Sequence, residues 1–263
     1  MGDTGPSGTL DTGVPHGARI WNYWLGGKDN FAADRAVGDQ VKEVYPDVVE
    51  VARASRQFLG RVTRFLAGEA GIRQFLDVGT GLPTADNTHE VAQRVAPESK
   101  IVYVDNDPLV LVHARALLTS SREGVTDYVD ADVHDPGKIL RAAATTLDFA
   151  QPVALMMLGI LGNVADDDTP GPAEIVDAFV SAVPSGSYLV LNDSVITAET
   201  AEAVSTARSG GADYHLRTPE QMRAFFTGLE LLEPGVVSTP LWRPEAGAEP
   251  AHLNVYCGVA RKP

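Results

Sequence analysis

Apolar positions along the 263-residue chain follow two alternating rhythms. Short apolar runs at 73–78, 101–105, 125–130, 152–158 and 187–192 predict strands. Segments with apolar residues at helical spacing follow at 85–96, 108–119, 136–145, 172–183 and 197–208. Alternating strands and helices imply a parallel sheet with helices on both faces. The runs from Ile101 to Val104 and from Val153 to Leu158 are apolar throughout, as strands covered on both faces should be. A longer helix is predicted from Pro46 to Ala67, with Gly68 at its C-terminal end and Arg53, Arg56, Arg61 and Arg64 on a solvated face.

Helix-start chemistry sharpens the boundaries. Thr169-Pro170 or Gly171-Pro172, followed by Glu174, suits an N-cap with proline in the first turn. Thr218-Pro219-Glu220-Gln221 has the spacing of a capping box, and the short helix it opens should end near Gly228. Beyond it, 229–237 and 251–260 read as strands of an antiparallel hairpin at the sheet edge, joined by a Pro/Gly loop. Residues 1–15 are rich in Gly, Thr, Ser and Pro, lack the basic and apolar regions of a signal peptide, and predict a mobile tail. The chain thus divides into that tail, an N-terminal helical extension or lid over 16–70, and a sheet domain over 71–263.

Composition narrows the partners. A formal charge of −14 disfavours phosphate backbones and anionic membranes, so no nucleic acid and no membrane partner is expected. No apolar run is long enough to span a bilayer. The single cysteine, Cys257, excludes an internal disulfide and fits a reducing, cytoplasmic setting; it reads as a small core residue. The six histidines show no metal-ligand spacing, and neither a G-x-S-x-G elbow nor a Walker loop is present. Asp166-Asp167-Asp168 precedes a helix start and reads as a solvated partner of the helix dipole, because three consecutive acids cannot converge on one ion.

Chemistry concentrates at the predicted strand ends. The stretch from Phe75 to Thr84 runs strand, Gly79-Thr80-Gly81 loop, then helix after Pro83. Glycines there let a ligand lie against bare backbone, with loop amides and the helix start aimed at it and Asp77 within reach. A dinucleotide fingerprint needs a small third residue for close helix packing, but Pro83-Thr84 stands there, which speaks against NAD. Acid-x-Gly-x-Gly suits instead a cofactor without a pyrophosphate, whose amino-acid end meets Asp77 and the loop. Asp105 and Asn106 end the next strand, where an acid can bind both ribose hydroxyls. Asp107-Pro108 suits an N-cap. Asp132 and the Val133 amide follow the third strand and can face the amine and a ring nitrogen of adenine; Asp130 is a weaker alternative. Leu158 and Gly159 open the loop after the fourth strand, with Asn163 as its polar member and either a turn residue or an acceptor ligand.

These residues resemble the motifs of class I S-adenosylmethionine-dependent methyltransferases: FLDVGTGLPT the first, VYVDNDPLVLVHARALL the second, DYVDADVHDP the third. A more specific resemblance, over nearly all the chain from about residue 16, is to the bacterial S-adenosyl methyltransferase family first catalogued as a domain of unknown function. ARIWNYWLGGKDNFAADR, FLDVGTGLPT, RTPEQMRAFFTGLELLEPGVV with LWRPE, and CGVARKP carry it. The resemblance implies a Rossmann-like α/β fold, a seven-stranded and mostly parallel sheet with an antiparallel terminal strand plus the N-terminal helical extension, and S-adenosyl-L-methionine as cofactor. It implies no particular methyl acceptor. It also moves the aromatic cluster Trp21-Asn-Tyr23-Trp24 and the loop Gly26-Gly27-Lys28-Asp29-Asn30 from core packing toward a lid, with Tyr23, Lys28 and Asn30 as cofactor contacts. One departure stands out: a Leu-His pair common in such proteins is here Leu161-Gly162-Asn163. The expected activity is methyl transfer to a small-molecule acceptor, with a non-catalytic cofactor-binding module as the alternative. Tyr23, Tyr214 and His215 are candidates for a general base, and Asn163 for an orienting group. The oligomeric state is not legible.

Overall fold

The computed structural model describes residues 11–84, 86–110, 112, 120–245 and 247–263. The chain begins with three helices, α1 (Gly17–Trp24), α2 (Ala32–Val44) and α3 (Val48–Gly68). Then come β1 (Gln74–Val78), α4 (Thr88–Val95), β2 (Lys100–Asp105), β3 (Val125–Asp130), α5 (Pro136–Ala143), β4 (Ala154–Leu158), α6 (Pro172–Ala182), β5 (Tyr188–Ser194) and α7 (Ala198–Ser209). The chain closes with α8 (Pro219–Ala224), β6 (Glu230–Leu231), β7 (Val237–Ser238) and β8 (Val255–Arg261). The helix expected over 108–119, with His113, falls mostly outside the described residues.

The strands form one eight-stranded sheet in the order β3-β2-β1-β4-β5-β8-β6, with β7 also paired to β8. β1 to β5 are parallel and β8 runs antiparallel to β5. The sixth strand expected over 229–237 is instead two two-residue strands, both on β8, because Pro234 and Gly235 (φ +91°) break the run between them. β8 therefore lies inside the sheet, not in an edge hairpin.

Period-two alternation sends successive strand residues to opposite faces. Leu76, Val102, Val104, Leu155, Met157, Leu189 and Leu191 meet Ile139 of α5 and Ile175 and Phe179 of α6. Phe75, Ile101, Tyr103, Met156 and Val190 meet Phe58, Val62 and Leu66 of α3. α3, which the sequence placed in an extension, is thus a covering layer of the sheet. Two of its basic residues are not solvated: Arg61 donates to the carbonyls of Trp242 (3.2 Å) and Thr239 (2.9 Å), and Arg56 turns toward Asp77. The helix runs through Gly68, and Gly71 (φ +70°) makes the reversal instead, with the Ile72 amide donating back to Leu66 O at 2.8 Å.

A third cluster joins Ile20, Val37, Val41, Tyr45, Val48 and Val51 to Ala203 of α7 and Val255 of β8. Its polar centre is Asp34, fully buried, which accepts the amides of His16 (2.9 Å) and Phe31 (2.8 Å) and has Arg19 Nε 3.4 Å away. Arg19 donates to the carbonyls of Asp11 and Val14, so residues 11–15 are held against α1, unlike the mobile tail expected there; residues 1–10 lie outside the described set. Capping follows the sequence at Gly171-Pro172, where Glu174 accepts the Gly171 amide, and at Thr218, which exchanges hydrogen bonds with Gln221.

Trp242 is fully buried and meets Phe58 and Phe65 edge-on, with ring centroids 5.4 and 5.9 Å apart. Truncating it leaves a cavity between α3 and β8. Trp242→Ala should cost about 3–5 kcal/mol, read as a lowered urea midpoint. A loss below about 1 kcal/mol would show that this aromatic contact does not anchor α3.

Candidate functional site

The parallel strands all present their carboxyl ends on one edge, and strand order reverses between β1 and β4. Ligands of open α/β sheets bind at that reversal. Here the chain makes its sharpest turns. Gly79 and Gly81 have φ of +75° and +66°, and a Cβ on Gly79 would lie 2.6 Å from Ile160 in the loop after β4. Only glycine satisfies both the backbone and the space at Gly79.

The loop amides serve the protein itself. Gly79 N and Thr80 N donate to Val104 O at 2.9 and 3.2 Å, and Gly81 N donates to Asp105 Oδ2 at 2.8 Å. α4 starts later than expected, at Thr88, because Asn87 and Glu90 form its cap. The glycine loop therefore offers a ligand a close backbone surface, not the amide cradle of a helix start.

Asp77 is buried, and Thr88 Oγ1 donates to its Oδ2 at 2.6 Å. Burial raises its pKa to about 6, against the hydrogen bond from Thr88 and the charge of Arg56. Burial likewise raises Asp105, opposed by the amides of Asp107 and Gly81. Asp107 accepts the Leu109 amide as the sequence suggested, and its Oδ2 lies 3.1 Å from His16 Nδ1, which joins the start of α1 to the end of β2. Asn106 Nδ2 donates to Asp132 Oδ2 at 3.0 Å. Burial works against the charge of Asp132, but the His134 amide and ring and Asn106 hold its pKa below the usual value. His134 Nε2 reaches Asp168 Oδ2 at 3.1 Å; burial opposes its charge, and the two carboxylates raise its pKa. Asp166 pairs with Arg217 at 2.7 Å, so the acidic run is tied to neighbours and is not simply solvated.

A cavity of about 500 Å³ opens above these strand ends. Asp77, Gly79, Thr80, Gly81, Asp105, Asn106, Asp132, Val133, Leu158 and Gly159 all line it. Tyr23, Lys28 and Asn30 do not, and the geometry gives the reason. Tyr23 OH donates to Asp39 at 2.7 Å on the outer side of α1 and α2, and Lys28 is exposed. Asn30 Nδ2 donates to Asn22 Oδ1 (2.9 Å) and Gly27 O (3.0 Å), so it knits the Gly-Gly loop around Asn22, which does line the cavity. The aromatic segment contributes Trp21 and Trp24 instead. Of the other candidates, Asn163 and Tyr214 line the cavity and His215 does not.

Two features escaped the sequence reading. Arg56, on α3, is the one arginine or lysine among the described lining residues. Helical spacing put it beside Arg53 on an outer face, and only the docking of α3 on the sheet turns it inward. The second is Asp193, buried on β5, whose Oδ1 accepts Tyr214 OH at 2.6 Å and the Gly162 amide at 3.2 Å. A Cβ at Gly162 would lie 2.0 Å from the Tyr214 ring. The glycine that replaces the expected histidine is what admits that ring. A polar strand end, Asn192-Asp193-Ser194 after an apolar run, was the available signal for Asp193; Tyr214 was a base candidate, but nothing local ties it to Asp193.

A family model described as S-adenosyl methyltransferase matches residues 3–263. The chain belongs to the S-adenosyl methyltransferase family. Its cofactor is S-adenosylmethionine, and it is a methyltransferase by family and fold. A DUF574 family protein from Streptomyces avermitilis is 43% identical with a TM-score of 0.92, over 97% of this chain and all of that one. A candidate methyltransferase from Thermobifida fusca is 41% identical with a TM-score of 0.88, over 99% of each chain. Human N-acetylserotonin methyltransferase, solved with its S-adenosylmethionine, shares the fold at 14% identity and a TM-score of 0.51, over 95% of this chain and 63% of that one. No curated protein matches the chain. Among the described residues, no helix is long and apolar enough to cross a membrane and no side-chain cluster could hold a metal ion.

The raised pKa of Asp77 has a measurable consequence. An unfolded aspartate releases its proton near pH ~3.9, whereas the folded one keeps it up to about 6. Between those values the folded state binds more protons, so stability from this site falls as pH rises and is lost above the folded value. Asp77→Asn should therefore gain on the parent protein by up to about 3 kcal/mol between pH 4 and pH 7. Urea unfolding at both pH values measures the change, and an unchanged difference would mean that Asp77 is not desolvated.

Proposed function

We propose that this S-adenosyl methyltransferase methylates a small, largely apolar molecule within the cavity above the strand ends. The observation that carries this reading is the wall facing the strand-end acids. It is built from Ile20, Trp21 and Trp24 of α1, Val37 and Val41 of α2, and Val204 of α7. An apolar, partly aromatic wall in a cavity of this size suits a small acceptor. A nucleic acid would need an open basic groove, and the charge of −14 opposes one.

The strand-end residues fit the cofactor. Asp105 retains lone pairs beyond its two backbone hydrogen bonds and would take the ribose hydroxyls. Asp132 is half-exposed and, with the Val133 amide, would meet the adenine edge. Asp77 would face the ammonium of the methionine end and Arg56 its carboxylate, with the glycine loop allowing close approach. Bound there, the cofactor supplies an electrophilic methyl group on a sulfonium. The protein's contribution is to hold the acceptor in line with that group and to exclude water with α1, α2 and α7.

Calorimetry with S-adenosylhomocysteine tests the cofactor assignments. Gly79→Ala should abolish binding, since the new methyl collides with Ile160. Asp105→Ala should weaken it about tenfold or more, because it removes charged hydrogen bonds. Tyr23→Phe and Lys28→Ala should leave it unchanged. The acceptor class is tested by S-adenosylhomocysteine release with small apolar amines and alcohols or with DNA. Turnover on DNA, or on none of them, would overturn the small-acceptor reading, and binding without any turnover would point to a non-catalytic module.

A further inference from the structure

We infer that Asp193, held by Tyr214, is the polar anchor of the acceptor pocket and receives a protonatable amine on an otherwise apolar acceptor. This rests on the reading that the cavity holds both cofactor and acceptor.

Strand order separates the two roles. The acids that follow β1, β2 and β3 lie on one side of the switch point, and β4 and β5 lie on the other. Asp193 sits near the carboxyl end of β5, two strands from β1, or roughly 10 Å at ordinary strand spacing. It is beyond the nucleoside side but lines the same cavity. Its two hydrogen bonds, from Tyr214 OH and the Gly162 amide, both end on Oδ1. Oδ2 has no hydrogen-bond partner among the described residues. Arg217 is the nearby cation, but its guanidinium is committed to Leu161 O (2.7 Å), Val164 O (2.6 Å) and Asp166 Oδ1 (2.7 Å). A buried carboxylate needs a partner for its remaining lone pairs, and none of the described residues supplies one.

The surroundings select the partner. Beside polar Asn163, Asn192, Ser194 and Asp213, the cavity lining is apolar and aromatic, and the one lining guanidinium among the described residues, Arg56, stands with Asp77 on the cofactor side. An anionic acceptor would meet Asp193 with like charge. A purely apolar one would leave the carboxylate desolvated and unpaired. An ammonium on an apolar body satisfies both, and Trp21 and Trp24 line the same cavity, where an indole attracts a cation. Tyr214 sets the position: its hydroxyl fixes Oδ1, the Ser194 amide donates to its oxygen at 3.4 Å, and Gly162 leaves space for its ring.

The test titrates tryptamine and phenethylamine, with 3-ethylindole, tryptophol and indole-3-propionate as neutral and anionic counterparts, into protein saturated with S-adenosylhomocysteine. The amines should bind about tenfold or more tightly than their neutral and anionic counterparts. Asp193→Asn should remove that preference while S-adenosylhomocysteine affinity stays within about twofold of the parent protein. Tyr214→Phe, which keeps the carboxylate but frees it, should weaken amine binding by a smaller factor. Equal binding of tryptamine and tryptophol, an undiminished amine preference in Asp193→Asn, or no amine binding to the loaded protein would each overturn the inference. Failure of S-adenosylhomocysteine itself to bind the parent protein would instead overturn the cofactor-site reading beneath it.

Discussion

The site depends on one carboxylate that faces inward before it faces a ligand. Asp105 binds the Gly81 amide with one oxygen and the Asp107 amide with the other, so it ties the loop after β1 to the loop after β2. Val104 O takes the two preceding amides of the same glycine loop, those of Gly79 and Thr80. These bonds cross between adjacent strands whose register is set from Gln74↔Lys100 to Val78↔Val104. The floor is therefore organised by the sheet, not by a bound molecule. A preorganised floor spares the ordering cost that a flexible loop would incur on binding. It also explains why the glycines are needed: only a loop of positive φ can turn its amides back toward β2 while keeping its outer surface free.

From that floor the cavity acquires two unlike sides. The acids after β1, β2 and β3 form one. The other comes from elements far away in sequence, α1 and α2 at the start, α7 and the Tyr214 segment near the end. These are brought together by the cluster of Ile20, Val37, Val41 and Val51 with Ala203 and Val255, centred on the buried Asp34. The N-terminal helices thus act through packing. Their apolar faces close the cavity, while Tyr23 on the outer side of α1 and Lys28 in the loop before α2 stay outside it.

The parallel sheet was legible because apolar runs and helical periodicities alternate without ambiguity. The glycine loop, Asp77, Asp105 and Asp132 were legible as a set because each stands at the end of a recognisable strand. The same logic, applied to Asn192-Asp193-Ser194, would have found Asp193. Arg56 was out of reach, because the face a helix turns inward depends on what it packs against; Tyr214 was among the base candidates, but its pairing with Asp193 was not legible, since a Tyr in a loop has no periodicity to read. Tyr23 and Asn30 fall outside the cavity lining, which the sequence could not show, because an aromatic and amide-rich segment looks the same whether its side chains bind a ligand or bind one another. The late start of α4 was another surprise, since Asn87 and Glu90 cap the helix several residues beyond the glycines.

By itself, the sequence determined the fold class and the strand ends, because periodicity and glycine–acid spacing are local properties written within each segment, while the resemblance of its longer motifs carried the family and the cofactor. Only the tertiary structure decided which side chains share the cavity. That depends on the rotation of α3 on the sheet, on the packing of α1 and α2 against α7, and on the space that Gly162 leaves for Tyr214 beside Asp193. Such contacts join residues far apart in the chain, so their chemistry exists only once the core has set their distances. The strand-end side of the cavity can be read along the chain; the side built by α1, α2, α7 and Tyr214 cannot.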